Sequence, residues 1–453
     1  MSKIIVPHIH KIEGEAGFWA EVTETGKVEH LKIETLKGLR QIEGILVGRR
    51  AQEVPIIVSR ICGICPVVHI LNACRALEKA LEVEVSRDIT LLRKLFLASQ
   101  IVQSHTLHLF FLSLPDFFNI ENDLELMKKF KKETKAALKI RDFSLELTEI
   151  IGGRKVHPVT PKIGGFLRLP KADDFKKALK DYSEIIDSAQ LLAKTFENLS
   201  YPEFYRETSF ACLNPEKEYL VEEFRQGFLS ENLSSRSEPK FSYGEYTFLQ
   251  SSSVIIESKK EAVENFYSKE IEEDLKNPPV KRVKYHGKTY MLGAIARIKN
   301  NSQFLNPLAK KLFENFKKKQ KISDEEFFGN IYHNLFCQAV EVLHFLEESQ
   351  KLMEEIIESG IKDEKTEIKI REGEGISAME APRGTLFDHL AIDKDGRISS
   401  CDIITPTAQF LANIEEDLKV LLPTILKLSE VEKRRKIRAL IRIYDPCISC
   451  AIH

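Results

Sequence analysis

Alternating apolar and polar residues predict β-hairpins near both ends of the chain. In the amino-terminal part, "FWAEVTE" (18–24) and "VEHLKIETL" (28–36) flank "TGK", which supplies a glycine for the turn. Further on, "LFDHLAID" (386–393) and "RISSCDIIT" (397–405) are joined in the same way by "KDG". We also predict a hairpin in "KRVKYHGKTYML" (281–292).

Apolar residues at helical spacing dominate the rest of the sequence. The most apolar run, "LLRKLFLASQIVQSHTLHLFFLSL", predicts a long helix with Asp88 as its N-cap and an end at Pro115. A shorter helix is predicted in "RQIEGILVGR", and another directly after the cysteines of "RICGICPVVH". Further helices are predicted at about 121–151, 172–198, 303–319, 324–359 and 408–437.

These elements predict a mainly α fold, with a large helical core and small peripheral β-hairpins or sheets. No internal repeat, linker or low-complexity run divides the sequence. We therefore expect residues 1–453 to form one interlocked domain. Its amino-terminal β-hairpin region covers about 1–40, and its tail covers 445–453.

Composition excludes several classes of function. The chain has 453 residues and a formal net charge of -1, which argues against a nucleic-acid binder held by phosphate contacts. No run of eighteen apolar residues is present and the first residues lack a signal core, so we expect no direct membrane span. Lysine-rich runs such as "KKFKKETKAALK" are typical of solvated helix faces.

The cysteines carry the strongest chemical signal. Four of the eight form two C-x-x-C pairs, in "RICGICPVVH" (60–69) and "DPCISCAIH" (445–453). Two thiolates at this spacing chelate one metal, and two pairs give an all-sulfur site for a soft metal. Spacing alone leaves open a catalytic metal, a structural zinc site and an iron–sulfur cluster. The other four cysteines, Cys74, Cys212, Cys337 and Cys401, have no partner in the sequence and are expected to be buried thiols.

The two cysteine motifs resemble the amino- and carboxyl-terminal signatures of the large subunit of nickel–iron hydrogenases. Further blocks resemble that family in the same order along nearly the whole chain, namely "KIEGEAGF", "SHTLHLFFLSLPDF", "PKIGGF", "EAPRGTLFDH" and "IITPTA". The resemblance implies the large-subunit fold of this family. It also implies reversible heterolytic cleavage of dihydrogen into protons and electrons at a nickel–iron centre.

The resemblance further implies the metal ligands. Cys62 and Cys447 would be terminal thiolates on nickel. Cys65 and Cys450 would bridge nickel to an iron atom with cyanide and carbonyl ligands. A separate magnesium ion would be bound by Glu43 in "RQIEGIL", the backbone carbonyl of Ile403 and the terminal His453.

Proton transfer is assigned by the same resemblance. Glu13 in "KIEGE" matches a proton-gate glutamate, and Glu15 is the alternative. Cys447 would be the base that takes the proton from dihydrogen. Arg383, preceded by Pro382, would lie over the open face of the metals and stabilise charge there.

Five more residues match positions around the metals. His69 would hydrogen-bond a bridging sulfur, and Pro406 and Thr407 would line the cyanide pocket. Asp116 and Asp445 match carboxylates that surround the metal ligands.

Electrons need a route out of the chain, and no further cysteine cluster, dinucleotide fingerprint or flavin motif supplies one. The resemblance implies a partner small subunit with iron–sulfur clusters, and further electron-transfer subunits beyond it. The "KIEGEAGF" block and the short chain look like the cytosolic heteromultimeric hydrogenases, so a cytoplasmic location is expected. Two alternatives are a metal-free relative of quinone-reductase core subunits, which would lack the cysteines, and a zinc-stabilised scaffold.

Overall fold

Helices form most of the structure, a computed structural model that describes residues 2–36, 38, 41–214, 253–267, 271–273, 280–362 and 366–453. In chain order they are α1 (Ile42–Leu46), α2 (Val54–Val58), α3 (Pro66–Leu81), α4 (Arg87–Leu107), α5 (Leu114–Phe118), α6 (Asp123–Lys129), α7 (Lys131–Gly152), α8 (Ala172–Leu179), α9 (Tyr182–Glu197), α10 (Val263–Asn265), α11 (Ala294–Asn301), α12 (Pro307–Gln320), α13 (Asp324–Gly329), α14 (Asn334–Ser359), α15 (Pro406–Ile425), α16 (Glu430–Ile443) and α17 (Ile448–Ala451).

The strands are short and form several small sheets. They are β1 (Ser2–Val6), β2 (Ala16–Val22), β3 (Val28–Thr35), β4 (Pro161–Lys162), β5 (Gly165–Phe166), β6 (Ser209–Leu213), β7 (Ser253–Ile256), β8 (Lys259–Ala262), β9 (Ile271–Glu273), β10 (Val283–Tyr285), β11 (Tyr290–Met291), β12 (Gly373–Ala381), β13 (Gly384–Ile392) and β14 (Ile398–Ile404). The mainly α class with small sheets is confirmed. The single-domain organisation stays a prediction.

The centre of the fold is a bundle in which α14 packs against α4 and α9, and α7 packs against both α4 and α9. The antiparallel sheet β12-β13-β14 lies on α3. The antiparallel sheet β1-β2-β3 contains the predicted amino-terminal hairpin, and α15 packs against β3. The amino-terminal sheet is thus packed against a helix from the carboxyl-terminal part of the chain.

The long apolar helix differs from the prediction at both ends. The Ser86 hydroxyl accepts a hydrogen bond from the Ile89 amide, so Ser86 is the N-cap, and the prediction for Asp88 is wrong. Asp88 lies in the first turn instead, where a carboxylate suits the helix dipole. The helix also does not end at Pro115, because a π-helical turn at His108–Ser113 leads into α5, where Pro115 occupies an initial position that needs no N–H donor.

Other predicted helices are interrupted. The segment 121–151 contains α6 and α7, and 172–198 contains α8 and α9. The segment 324–359 begins with the separate helix α13, and the helix predicted at 408–437 is two helices, α15 and α16. Capping explains one of these interruptions, because Ser429 and Glu432 form a reciprocal capping box at the start of α16.

The prediction of a hairpin at 281–292 is wrong in its pairing. Tyr285 and Lys288 exchange two backbone hydrogen bonds of 2.9 Å, so the chain does turn there. The two flanking strands then pair elsewhere, β10 with β9 and β11 in parallel with β6. The hairpin β13–β14 is confirmed, but its neighbour β12 was missed because its glycines resemble a loop.

Among the described residues, one continuous helical stretch, Arg87–Phe118, is long and apolar enough to cross a membrane. Of its most apolar window, 83% is buried inside the fold. Buried core helices meet the same criteria of length and composition, so this stretch is weak evidence for a membrane span.

Candidate metal centre

The two C-x-x-C pairs meet in the core. The four sulfur atoms of Cys62, Cys65, Cys447 and Cys450 all lie within 4.8 Å of one another. Across the pairs, Sγ of Cys62 is 3.6 Å from that of Cys447, and Sγ of Cys65 is 3.2 Å from that of Cys450. The four residues are between 0% and 4% exposed. The fold thus builds one enclosed site from the two ends of the chain.

Local structure positions the amino-terminal pair. Cys65 is the N-cap of α3, and Pro66 occupies the first position of that helix, where proline is favoured. The amides of Ile64 and Cys65 each point at Sγ of Cys62, at 3.3 Å. Peptide N–H groups and the positive end of the helix dipole both favour a thiolate at this place.

Long-range contacts position the carboxyl-terminal pair. Cys450 lies in α17, a helix of only four residues, and Cys447 is the N-cap of that helix. The amide of Cys447 donates to the Thr407 hydroxyl at 3.0 Å. The amide of Ile448 donates to the backbone carbonyl of Glu13 at 2.8 Å. The tail is therefore buried, with Cys447 at 0% and His453 at 7% exposure.

Glu13, the first of the two candidate glutamates, contacts the site. Its Oε2 atom lies 3.0 Å from Sγ of Cys447 and accepts the Ser449 amide at 3.1 Å. Glu13 and Cys447 also form an isolated parallel β-bridge. A carboxylate in this position can exchange a proton directly with the Cys447 sulfur.

Arg383 is fixed by Asp445. Its Nε donates to the Asp445 carbonyl at 2.6 Å and one terminal nitrogen donates to Oδ1 at 2.9 Å. Burial alone would lower the pKa of Arg383, but the charges of Asp445 and the nearby sulfurs outweigh it and raise this pKa. The other terminal nitrogen, Nη1, is buried and has no hydrogen-bond partner among the described residues. One N–H-bearing edge of a permanent cation is thus held beside the sulfurs.

A small cavity adjoins three of the four sulfurs. Its lining consists of Cys65, Val68, His69, Ala381, Pro382, Arg383, Leu386, Pro406, Thr407, Cys447 and Cys450. The space open to the centre of a water-sized molecule is about 10 Å³, room for roughly one such molecule. The predicted residues Pro382, Arg383, Pro406 and Thr407 therefore line the same cavity as three of the sulfurs.

The two remaining predictions near the sulfurs differ in outcome. Nε2 of His69 lies 3.6 Å from Sγ of Cys450. Asp116 instead accepts a hydrogen bond from Arg442 at 2.5 Å, and among the described residues it is not part of the cavity lining. Burial raises the pKa of Asp116, and the charge of Arg442 partly offsets this rise.

The thiols in this cluster strongly influence one another. Burial raises the pKa of Cys447 and of Cys450 well above the ordinary value. Hydrogen bonds from the other three thiols lower the pKa of Cys62. Four sulfurs this close cannot all be thiolates without a cation between them. The donor set fits a soft or borderline metal such as nickel, iron or zinc.

The three predicted magnesium ligands also converge. Nε2 of His453 is 3.5 Å from Oε1 of Glu43 and 3.1 Å from the Ile403 carbonyl oxygen. Burial alone would raise the pKa of Glu43, but hydrogen bonds and charge from His453 and Lys281 lower it to about 2. Two oxygens and one imidazole nitrogen are acceptable ligands for a divalent ion.

Lys281 was missed by the sequence analysis. Its Nζ donates to Oε1 of Glu43 at 2.8 Å and to the Ile403 carbonyl at 3.1 Å, and it also contacts Asp402. The lysine comes from a distant part of the sequence, so no local motif indicated it. Asp402 directly precedes the predicted ligand Ile403, so its position in the sequence could have indicated a second carboxylate near this site.

Comparison with known proteins decides the family. A sequence model described as nickel-dependent hydrogenase matches residues 40–144 and 130–453. The chain belongs to the nickel-dependent hydrogenases. It is a catalytic large subunit of this family, an oxidoreductase that acts on hydrogen, and its four cysteines fit the nickel–iron site.

Individual relatives of this hydrogenase chain match along their whole length. The alpha subunit of sulfhydrogenase 1 of Pyrococcus furiosus is 31% identical over 453 residues, which cover 99% of this chain and 97% of that protein. One subunit of the F420-non-reducing hydrogenase vhu of Methanocaldococcus jannaschii is 25% identical over 444 residues, which cover 94% of this chain and 100% of that protein.

Solved structures share the fold. An NAD+-reducing NiFe-hydrogenase in the H2-reduced state has a TM-score of 0.83 at 21% identity, with 100% of both chains covered. A reduced, active Ni-Fe-Se hydrogenase from Desulfomicrobium baculatum has a TM-score of 0.73 at 22% identity, also with 100% of both chains covered. The large-subunit fold predicted for the chain is thereby confirmed.

Proposed function

We propose that this hydrogenase subunit holds nickel and iron between its four cysteine sulfurs, with cyanide and carbonyl ligands on the iron, and catalyses the reversible heterolytic cleavage of dihydrogen. The observation that carries the proposal is the set of four buried sulfurs within 4.8 Å beside a cavity with a fixed arginine. When bound, the nickel–iron centre supplies the redox chemistry that turns dihydrogen into protons and electrons.

The four sulfurs take different roles in this proposal. Cys62 and Cys447 bind nickel alone, whereas Cys65 and Cys450 bind both metals. This division of roles follows the resemblance of the two C-x-x-C motifs to the family signatures. Cys65 and Cys450 line the cavity together with Cys447, whereas Cys62 is not part of its lining. The iron would lie on the side of Cys65 and Cys450.

Protons leave through Cys447 and Glu13. The Cys447 sulfur is the base nearest to a carboxylate, and Oε2 of Glu13 is 3.0 Å away, within direct proton-transfer distance. Glu13 then passes the proton on while the Ser449 amide keeps its carboxylate oriented.

The cavity wall provides charge and shape for small ligands. Nη1 of Arg383 is available to stabilise negative charge in a site without bulk water. Pro382 and Pro406 offer apolar surface, and Thr407 keeps the Cys447 backbone in place. Cyanide and carbonyl are small, linear groups that suit such a narrow cavity. His69, at 3.6 Å from Cys450, adjusts the electron density on that sulfur.

We assign magnesium to the site formed by Glu43, the Ile403 carbonyl and His453. A divalent ion there would tie His453 to α1 and β14. It would compete with the Lys281 ammonium for Glu43 and Ile403, because both cations use the same oxygens. Binding of the ion therefore leaves Lys281 paired with Asp402.

Electrons pass to a partner small subunit with iron–sulfur clusters, and further subunits continue the chain. The relatives are named as subunits of larger hydrogenases, which supports a multi-subunit enzyme. The "KIEGEAGF" block supports the cytosolic heteromultimeric type, from which we infer a cytoplasmic location. The electron acceptors in the relatives' names belong to those proteins.

Metal analysis and infrared spectroscopy of the purified native complex test the proposal. We expect nickel and iron in equal amounts and stretching bands of iron-bound cyanide and carbonyl. Hydrogen-dependent dye reduction by the same sample should accompany them. One zinc per chain without such bands would instead support the zinc-stabilised scaffold and would refute the proposal.

A further inference from the structure

A buried ion network lies directly behind the turn that carries Arg383. Its centre is Arg297 on α11, which is 0% exposed. Glu341 on α14 is also 0% exposed, and Glu380 on β12 is 1% exposed. Burying three charges costs free energy unless each one is paired and hydrogen-bonded, so the contacts of each one matter.

Arg297 uses all five of its N–H donors. Two bonds of 2.7 Å go to the two carboxylate oxygens of Glu341, and one of 2.8 Å goes to Glu380. The other two, both of 3.0 Å, go to the backbone carbonyls of Ala381 and Pro382. The guanidinium thus connects α14 to the two residues immediately before Arg383.

The two glutamates are themselves fixed. Glu341 accepts a hydrogen bond from Nε2 of His105 at 2.7 Å, and Glu380 accepts from the Leu213 amide at 2.8 Å and the Thr385 hydroxyl at 2.7 Å. Burial alone would raise the pKa of Glu341, but Arg297 and His105 lower it to about 2. Arg297 therefore has little freedom to reorient.

Backbone packing supports the same turn. A Cβ atom at Gly384 would lie 2.4 Å from Cβ of Leu292, and one at Gly293 would lie 3.1 Å from the Arg383 carbonyl oxygen. The start of α11 and the turn after Arg383 therefore touch backbone to backbone. Such a contact transmits the position of Arg297 to the cavity wall.

We propose that Arg297 is a positioning residue that sets Pro382 and Arg383 against the metal cavity. This inference rests on the proposed function, because its test measures the iron ligands and the hydrogenase rate. Arg297 acts through the backbone carbonyls of Ala381 and Pro382, two residues that line the cavity. A lysine at this position keeps one charge but can supply only three donors from a single nitrogen, so it cannot hold both carbonyls and both glutamates.

The test compares Arg297→Lys with Arg93→Lys in the native complex. Arg93 is a similarly buried arginine that pairs with both oxygens of Glu78 and donates to the Lys162 carbonyl, away from the cavity. We expect both variants to lose similar melting temperature and to keep their nickel and iron. Only Arg297→Lys should shift the infrared bands of the iron ligands and lower kcat, by about ten- to a hundredfold.

Unchanged infrared bands and an unchanged kcat in metal-loaded Arg297→Lys would overturn the inference. Arg297 would then only stabilise the fold. If that variant yields no folded protein, Thr385→Val decides, because it removes one of the hydrogen bonds that fix Glu380 and so loosens the hold on Arg297 without replacing the arginine itself. A smaller shift of the same bands is then expected, and no shift overturns the inference. Absence of the bands from the unmodified complex would instead refute the proposed function.

Discussion

The two cysteine pairs differ in what holds them. Cys62 and Cys65 stand at the start of α3, and amides of their own loop point at Cys62. Cys447 caps and Cys450 lies on a four-residue helix whose position depends on Glu13 and Thr407, both distant in sequence. The first pair is thus positioned by local structure and the second by tertiary contacts. Assembly of the site is completed when the tail docks.

The largest effect should come from removing a tail sulfur. Cys447→Ser should abolish hydrogen-dependent dye reduction and lower nickel content to background, because an alcohol is a poor ligand for a soft metal. Cys74→Ser is the matched control, since Cys74 is a buried thiol on α3 that belongs to no cluster among the described residues. Equal metal content in the two variants would contradict the assignment of Cys447.

Glu13 tests whether the tail contact serves chemistry as well as docking. Glu13→Gln keeps an oxygen for the Ser449 amide but cannot carry a proton, so we expect full metal content with dye reduction lowered by about 10²- to 10⁴-fold. Glu15→Gln is the control and should leave the rate unchanged. The opposite result, with Glu15→Gln slow and Glu13→Gln fast, would move the proton gate to Glu15.

Metal removal should affect the two pairs unequally. In metal-free protein, we expect the amides of Ile448 and Ile452 to exchange with deuterium much faster than in loaded protein. Amides in the middle of α3, such as that of Leu71, should change little because the helix holds them. Hydrogen-exchange mass spectrometry measures both regions in one sample. An equal increase of the exchange rate in both regions would show that the two cysteine pairs do not differ in what positions them.

The smallest effect should come from Thr407. Thr407→Val removes the acceptor of the Cys447 amide and should lower the free energy of unfolding by about 1 to 3 kcal/mol. Thr405→Val is the control, because the buried Thr405 hydroxyl has no hydrogen-bond partner within the described ranges and its loss should be close to neutral. Denaturant titration of the metal-free proteins measures the difference. Equal losses would mean that the Thr407 bond contributes nothing to docking of the tail.

Much of the site could be predicted because its motifs are local. The C-x-x-C at the start of α3 and the strands β13 and β14 follow from spacing and alternation within short segments. One helix boundary was missed although the sequence contains its signal, since "SEVE" at Ser429 is a capping box.

Other features could not be predicted from one sequence. Arg297, Glu341 and Glu380 lie on three different elements, and nothing in their local patterns indicates that they meet. The same holds for Lys281 beside Glu43. Buried charges of this kind are determined by tertiary packing, whereas periodicity alone would assign them to solvated surfaces.

Anomalous diffraction from crystals of the native complex tests the central claim most directly. Data collected on either side of the nickel and iron absorption edges should give one nickel peak among the four sulfurs of Cys62, Cys65, Cys447 and Cys450. An iron peak should lie next to it, on the side of Cys65 and Cys450. A single zinc peak at the same place, with neither nickel nor iron, would contradict the account.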